Sequence, residues 1–570
     1  MKLFRLAALP FFLFLANSCA AVPTAAVTAV REQGFVIAAN PLAARAGMEV
    51  LERGGSAVDA AAAVQAMLSL VEPQSSGVGG GAFMTYYDGA TRQVSIYDGR
   101  EVAPAQAAPS MFLDSAGKPL SFETAVLGGR ATGVPGAVAM LALAHKEHGK
   151  LGWSSLFGAA ERTADEGFVV SPRLGRLLAG NFPENSAPDV VAYFRRADGA
   201  RMSAGDRLRN PAYAAFLRRL AADGPSALYA GSTAAKIVER TRAGPLGGSM
   251  TLADLAAYRP VKREPLCRPY RVYLVCVPPP PSSGVGTLEL LGLLARTDID
   301  KRGPNDPQAW FLFAEASRLM FADRDHFVGD VAVPVKGLLD PGYLAARARL
   351  IGQVATPAPA HGEPSNAALV APDETREPAG TSHFIVRDSD GNVVSMTTTV
   401  ESIFGSGRMV DGFFLNNQMT DFSFSPVDPG GRASANAVAP GKRPRSSMTP
   451  LILLDRDGKF AGAIGSAGGN AILPYVVKSL VAAIDWNLPM QQALAQPNLV
   501  ARGDGFYGEV TKFDPAILQA LAARGIALRP GQGEDSGVHG VLIRDGRVDG
   551  GYDPRREGVV LLLGQPVPAR

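Results

Sequence analysis

Residues 377–402 read "EPAGTSHFIVRDSDGNVVSMTTTVES". Two runs rich in β-branched and aromatic residues, His383 to Arg387 and Val393 to Val400, flank the turn-forming cluster Asp-Ser-Asp-Gly-Asn and spell a β-hairpin. Upstream, "TPAPAHGEPSNAALVAPDETREPAG" (356–380) is polar, dotted with proline and free of any period, which is the pattern of an exposed loop. The first strand therefore begins abruptly at Gly380-Thr381, and its partner ends in three threonines, Thr397 to Thr399. Alone, a threonine in such a place is an ordinary strand residue.

Helical patterns precede the hairpin. "NPLAARAGMEVLERGG" (40–55) offers Asn40 as N-cap, Pro41 at the first helical position and Gly54-Gly55 as a stop. "SAVDAAAAVQAMLSLVEP" (56–73) restarts from Ser56 and is apolar nearly all round, so burial on every side is expected. Strand patterns follow at 81–88 and 93–101. Residues 150–260 read as mostly helical, and "AWFLFAEASRLMFADRDHF" (309–327) as one long helix. After residue 381 come the hairpin, more strands in 448–469, a buried helix in "NAILPYVVKSLVAAIDW" (470–486) and a terminal hairpin in 537–553. Sheets enclosed by helix layers, an α+β arrangement, fit this order. The 570 residues permit two to four domains, yet no linker or repeat divides them.

The chain is 47% hydrophobic, enough for a large core, and its 56 Lys+Arg against 53 Asp+Glu leave a formal charge of +3. With no basic block and no aromatic-basic interleaving, nucleic acid is excluded as the expected partner. The start, "MKLFRLAALPFFLFLANSCAA" (1–21), has Lys2 and Arg5, an apolar run and then small residues, the pattern of a secretory signal peptide. Cleavage is expected near Ala20 or Ala21. Cys19 offers a lipid-anchor site, though Ala-Asn-Ser before it fits that signal poorly. No later stretch is long and apolar enough to span a membrane, so a periplasmic or secreted protein is expected. Cys267 and Cys276 would face each other if 265–284 forms a hairpin turning at Arg271-Val272. A disulfide and two buried free thiols both fit, since Arg-Val is not a favoured turn pair.

Several motifs fail on context. "SSGVGGGAF" (75–83) imitates a dinucleotide fingerprint, but it runs from helix to strand instead of strand to helix; its glycines are expected to let backbones pass closely. "DSDGN" lacks the calcium-loop glycine at Val393, and no His/Cys/Asp group has metal spacing, so no metal and no cofactor is expected. "IGSAGGN" (464–470) is not a nucleophile elbow, because Ile464 stands where glycine is required. Its double glycine can nonetheless aim N–H groups into a cavity, as an oxyanion hole needs.

Taken together, "GREVAPA" (99–105), "PPPPSSG" (278–284), the hairpin, "LNNQMTDF" (415–422), "KRPRSSMTP" (442–450) and "GSAGG" (465–469) resemble the γ-glutamyltranspeptidase family of N-terminal-nucleophile hydrolases. The resemblance covers nearly the whole mature chain in the same order. It implies a four-layer αββα sandwich built jointly by two subunits, cut from one precursor between Gly380 and Thr381. Residues 22–380 would be the large subunit and 381–570 the small one, intertwined in one structural unit. Cutting gives Thr381 a free α-amine, with pKa near 8, beside its own weakly nucleophilic hydroxyl. By the same resemblance Thr399 hydrogen-bonds the nucleophile, and Gly468 and Gly469 supply the oxyanion N–H groups. Arg100, Ser446 and Ser447 hold the donor's α-carboxylate, and Gln418 and Asp421 its α-ammonium. The implied activity is γ-glutamyl transfer from glutathione or a related compound to water or an amino-acid or peptide acceptor.

Two positions depart from the family pattern. Glu401 stands where the family carries Asn, and Arg445 where it usually carries Leu. An extra carboxylate by the ammonium and an extra cation by the carboxylate would tighten the hold on a zwitterion, or would pair with each other and reshape the pocket. Altered donor selectivity is expected. A glutaryl-type cephalosporin acylase of the same fold, and a processed but silent γ-glutamyl-binding protein, are the alternatives. The stretch from Asp421 to Ser446, Gly/Pro-rich over 423–441, is expected to be mobile and could lid the site; its length leaves open whether it covers the pocket.

Overall fold

The computed structural model describes residues 33–566 apart from 245, 374, 376, 379 and 532–535. The signal-peptide segment and Cys19 lie outside these residues. Among the described residues no helix is long and apolar enough to cross a membrane.

The hairpin forms as expected, with strands Ser382–Arg387 and Val393–Thr399. Its turn is organised by Asp388, whose Oδ1 accepts from the N–H groups of Asp390 (2.9 Å) and Asn392 (3.0 Å). The carboxylate that a calcium loop would offer to an ion is spent on the turn. The two strands lie in the middle of a seven-stranded antiparallel sheet. The order is Val559–Leu562, Phe35–Ala38, Ser382–Arg387, Val393–Thr399, Gly81–Tyr87, Val94–Gly99 and Val261–Arg263. A six-stranded antiparallel sheet has the order Arg547–Tyr552, His539–Arg544, Phe460–Gly465, Leu451–Leu454, Tyr273–Val277 and Leu266–Tyr270.

Side-chain alternation assigns the faces. Phe35, Ile37 and Ile385 share a core with Ile452, Ala463 and Val541 of the second sheet, while Val36, Ala38, Phe384 and Val386 point the other way, into a helical core. That core contains the helices Pro41–Glu52 and Ala57–Val71. Asn40 and Ser56 cap them, Ser56 in a capping box with Asp59, and Ala57–Val71 is buried at every residue. Helices Gly284–Leu294, Pro307–Phe327 and Ile472–Ile484 cover the outer face of the six-stranded sheet. The result is a mixed α/β fold.

Cys267 and Cys276 are paired in register and joined by a disulfide of S–S 2.09 Å. Their turn accepts Arg271 at φ +52° with its Nε on Asp485 at 2.8 Å, a long-range partner that offsets the poor turn chemistry. Two strands at one side of the seven-stranded sheet, Phe35–Ala38 and the edge strand Val559–Leu562, had no strand expectation; four apolar residues carry too little period to be told from helix.

Candidate active site

The hairpin register opposes Thr398 to Ser382, and one step further it sets Thr399 against Thr381. The Thr381 hydroxyl donates to Thr399 Oγ1 at 3.1 Å, and Thr399 also accepts from the Glu401 N–H at 2.7 Å. Both threonines are buried. The other hydroxyls of the triplet also have work: Thr397 pairs with His383 Nδ1 at 2.9 Å. In the uncut chain the Thr381 N–H donates to the Ser75 carbonyl at 2.8 Å and its own carbonyl accepts from Arg556 at 3.1 Å. Thr381 has φ +122°, a conformation that β-branched residues avoid and that costs about 1–3 kcal/mol. The strain lies on the expected scissile junction.

Gly380 is packed against Glu401 so closely that a Cβ there would lie 1.7 Å from the Glu401 carbonyl oxygen. A Gly380→Ala protein is therefore expected to be cut at least about 10-fold more slowly, because backbone must shift before Thr381 is presented. Accumulation of uncut chain on denaturing gels over time measures this. The glycines of 77–81 behave as the sequence suggested: a Cβ at Gly80 would lie 1.9 Å from the Thr399 carbonyl oxygen.

Gly468 and Gly469 follow the Phe460–Gly465 strand at φ +133° and +53°, values that favour glycine. Gly469 lines a small pocket together with Arg100, Thr381, Thr399, Glu401, Gln418, Asp421, Ser446 and Ser447. Gly468 lines an adjoining cavity of about 930 Å³.

Arg100 is buried and donates to Asp421 and to the carbonyls of Pro444 and Arg445. Among the described residues its Nη1 makes no hydrogen bond, and it lies 3.5 Å from the Glu101 carboxylate. Gln418 donates to Asp421 at 2.9 Å and leaves its own Oε1 buried without a partner. Ser446 is tied to the proline-rich segment through its N–H on the Pro281 carbonyl at 2.9 Å.

Glu401 and Arg445 do not pair with each other. Glu401 accepts from Asn417 at 2.8 Å and hydrogen-bonds Asp421. Burial first, and the neighbouring Asp421 charge second, push its pKa well above the usual carboxylate range. That direction favours the neutral form of Glu401 over an added negative charge, and as a neutral group it would resemble the Asn expected there. Arg445 is fully buried on Asp373 (2.8 Å) and Glu377 (3.4 Å).

Those partners correct the expected exposed loop. Residues 361–370 are mostly exposed, but Ala371, Asp373 and Glu377 are buried. Asp373 and Glu377 turn inward because arginines receive them. The stretch 423–441 is anchored to the same segment: Ala371 donates to the Ala433 carbonyl at 3.0 Å, and Asn436 to Asp373 at 2.9 Å. With Glu377 and Pro378 inside, the pocket around Thr381 retains only about 20 Å³, room for about one water.

Sequence reading missed Glu377, Arg324, Asn417, Ser75 and Arg556, which act through contacts between segments far apart in the chain. Glu377 alone carried a local signal, standing four residues before the expected cut.

A sequence model of the family Gamma-glutamyltranspeptidase matches residues 43–563. The chain is 34% identical over 548 residues to the glutathione hydrolase proenzyme of Bacillus subtilis (strain 168), covering 93% of this chain and 92% of that protein. It is also 34% identical over 504 residues to the acylase ACY 1 proenzyme of Pseudomonas sp. (strain SE83), covering 86% and 87%. Among solved structures it resembles cephalosporin acylase from Bacillus halodurans, with TM-score 0.80, 26% identity and coverage of 96% of this chain and 99% of that one. The γ-glutamyltranspeptidase of Helicobacter pylori is similar at TM-score 0.52 and 29% identity, over 58% of this chain and 91% of that one.

Proposed function

The chain belongs to the γ-glutamyltranspeptidase family and is an enzyme of that family, and from that premise we propose that it is a self-processing γ-glutamyltransferase and glutathione hydrolase. It is made for the periplasm or for secretion, and works as two intertwined subunits, 22–380 and 381–570, in one αββα sandwich. The observation that carries this reading is the hydroxyl pair Thr381–Thr399 beside buried polar atoms that make no hydrogen bond among the described residues: the donor Arg100 Nη1 and the acceptors Gln418 Oε1 and Asp421 Oδ1. Buried polar atoms without partners mark a place for a ligand. A carboxylate answers the donor and an ammonium answers the acceptors, which is the α-amino-acid end of a γ-glutamyl group.

In the cut, Thr381 Oγ attacks the Gly380 carbonyl carbon and the Gly380–Thr381 C–N bond breaks. The nitrogen keeps the hydroxyl proton, which leaves an ester. Water hydrolyses that ester to a Gly380 carboxylate and a free Thr381. Strain at φ +122° favours the step. In turnover the freed α-amine takes the Oγ proton as Oγ attacks the γ-carbonyl of the donor, and it returns a proton to the departing amine. Thr399 aligns Oγ. The Gly468 and Gly469 N–H groups meet the developing oxyanion, worth roughly 3 kcal/mol each. Water or an acceptor amine then takes the acyl group.

Likeness to cephalosporin acylase favours one rival, a glutaryl-type acylase. A glutaryl group has no ammonium for Gln418 and Asp421. The test is turnover of γ-glutamyl-p-nitroanilide against glutaryl-p-nitroanilide. The γ-glutamyl donor is expected to lead by at least about 100-fold in kcat/KM, since unpaired buried polar groups penalise the analogue; a lead for glutaryl contradicts the proposal. Because the base is a free amine, kcat/KM should rise with pH through about 8 and be lost below it as the amine protonates.

A further inference from the structure

The Glu377 carboxylate is held in the uncut chain as a bound ligand's would be. Ser447 gives it both a backbone N–H, at 3.1 Å, and a hydroxyl, at 2.5 Å, and the guanidiniums of Arg324 and Arg445 flank it. Burial alone would raise this carboxyl, but Arg324 and Arg445 hold its pKa down at about 2. The Glu377 carbonyl meanwhile accepts from the Asn470 N–H at 3.2 Å, and a Cβ on Gly469 would lie 2.1 Å from it. The tail thus crosses the oxyanion glycines with its side chain on the serine that the family resemblance assigns to the donor's carboxylate. Glu377 occupies the pocket as a substrate would.

The cut would strip one arginine of its paired carboxylates. Among the described residues the carboxylates that pair with Arg445 are Asp373 and Glu377, and both lie on the N-terminal side of Gly380. Arg324 pairs with Glu377 too, but it also has Asp325 at 3.0 Å and Ser283 Oγ at 2.9 Å. When the severed tail leaves, Arg445 loses both carboxylates and Arg324 loses one. A buried guanidinium without a counter-charge costs several kcal/mol, so another anion is drawn to the vacated place. That place shares its pocket with Thr381, Arg100 and Ser446.

We propose, on the basis of the γ-glutamyl reading above, that Arg445 is a specificity-determining residue of the cut enzyme. With Arg324 and Ser447 it takes the donor's α-carboxylate where the Glu377 carboxylate now sits. Glu377 is the internal stand-in that keeps this subsite assembled until the cut, and closed to donors until then. Where the family carries Leu, this chain adds Arg445 as a third guanidinium on the carboxylate side, after Arg100 and Arg324, and the demand for an α-carboxylate is correspondingly strict.

The probe pair is γ-glutamyl-p-nitroanilide and 4-aminobutyryl-p-nitroanilide, which share the anilide and the amine but differ in the α-carboxylate. In autoprocessed Arg445→Leu the kcat/KM preference for the γ-glutamyl donor should fall by about 30-fold or more, almost all through KM, the scale of losing a buried charged partner. A preference within about 2-fold of the native value overturns the proposal. If Arg445→Leu does not process, Arg445→Lys keeps the charge without the planar fork; its preference should fall by about 5-fold, and an unchanged preference overturns the proposal equally. A second readout needs no turnover. By calorimetry, uncut Thr381→Ala should not bind L-glutamate, whereas Thr381→Ala/Glu377→Ala should; binding with Glu377 in place contradicts the stand-in. Native enzyme that turns over no γ-glutamyl donor overturns the functional reading and this inference together. Active native enzyme with an unaltered Arg445→Leu preference overturns this inference alone.

Discussion

A Thr381→Ala protein is expected to run as one uncut chain and to release no nitroaniline from γ-glutamyl-p-nitroanilide. The loss should approach about 10⁶-fold, the scale on which a hydrolase fails without its nucleophile. Two defects follow from the one missing hydroxyl: no oxygen is present to attack Gly380, and so no N-terminal amine is ever made. Thr399 cannot substitute. Its Oγ accepts from Thr381 and from the Glu401 N–H, and it sits in the partner strand away from the scissile junction. Thr381→Ser should cut and turn over, more slowly, because the hydroxyl survives. The uncut Thr381→Ala chain also keeps Glu377 docked, which gives it a pH signature. The folded-state pKa of Glu377 lies below its ordinary value of 4.5, near 2. Its stabilising contribution is therefore complete above about 4.5 and is lost as the pH falls through about 2. Glu377→Gln in the Thr381→Ala background should flatten that part of the acid-melting curve.

The second large effect is expected at Arg100. Arg100→Gln should lower kcat/KM for the γ-glutamyl donor by about 100-fold or more and reduce the stability of the folded protein by about 3–5 kcal/mol. Arg100 lies among the carboxyls of Asp421, Glu401 and Glu101. Burial already pushes Glu101 up to about 8 even with Arg100 beside it. Removing the cation leaves Asp421 buried without a counter-charge, and two of its oxygen contacts, Arg100 and Gln418, become one. Urea unfolding of a Thr381→Ala/Arg100→Gln chain against Thr381→Ala isolates the stability component, since neither chain is cut. Steady-state kinetics of processed Arg100→Gln give the binding component. Equal midpoints and equal kcat/KM would contradict the role assigned to Arg100.

Local pattern carried the parts of this molecule that depend on neighbouring residues. The hairpin was legible because its strands are β-branched and Asp-Ser-Asp-Gly-Asn supplies a turn whose carboxylate bonds its own backbone. Register then put the two key threonines together without further information. The caps at Asn40 and Ser56 and the fully buried helix Ala57–Val71 were equally local. What escaped were contacts made between distant segments. Asp373 and Glu377 looked like solvated charges in a proline-dotted loop, and only arginines contributed from residues 324 and 445 draw them inside. Glu401 looked like an added negative charge, and only its burial beside Asp421 pushes its pKa up toward the neutral form. The short strands Phe35–Ala38 and Val559–Leu562 pair across more than 500 residues, where no periodicity reaches.

The central claim, that the chain breaks itself so that Thr381 can serve as both nucleophile and base, is tested most directly by N-terminal sequencing of the purified active protein. Two bands are expected on denaturing electrophoresis, and the smaller should begin Thr-Ser-His-Phe, at residue 381. An active protein that is continuous through Gly380-Thr381, or whose smaller fragment begins at another residue, would contradict it.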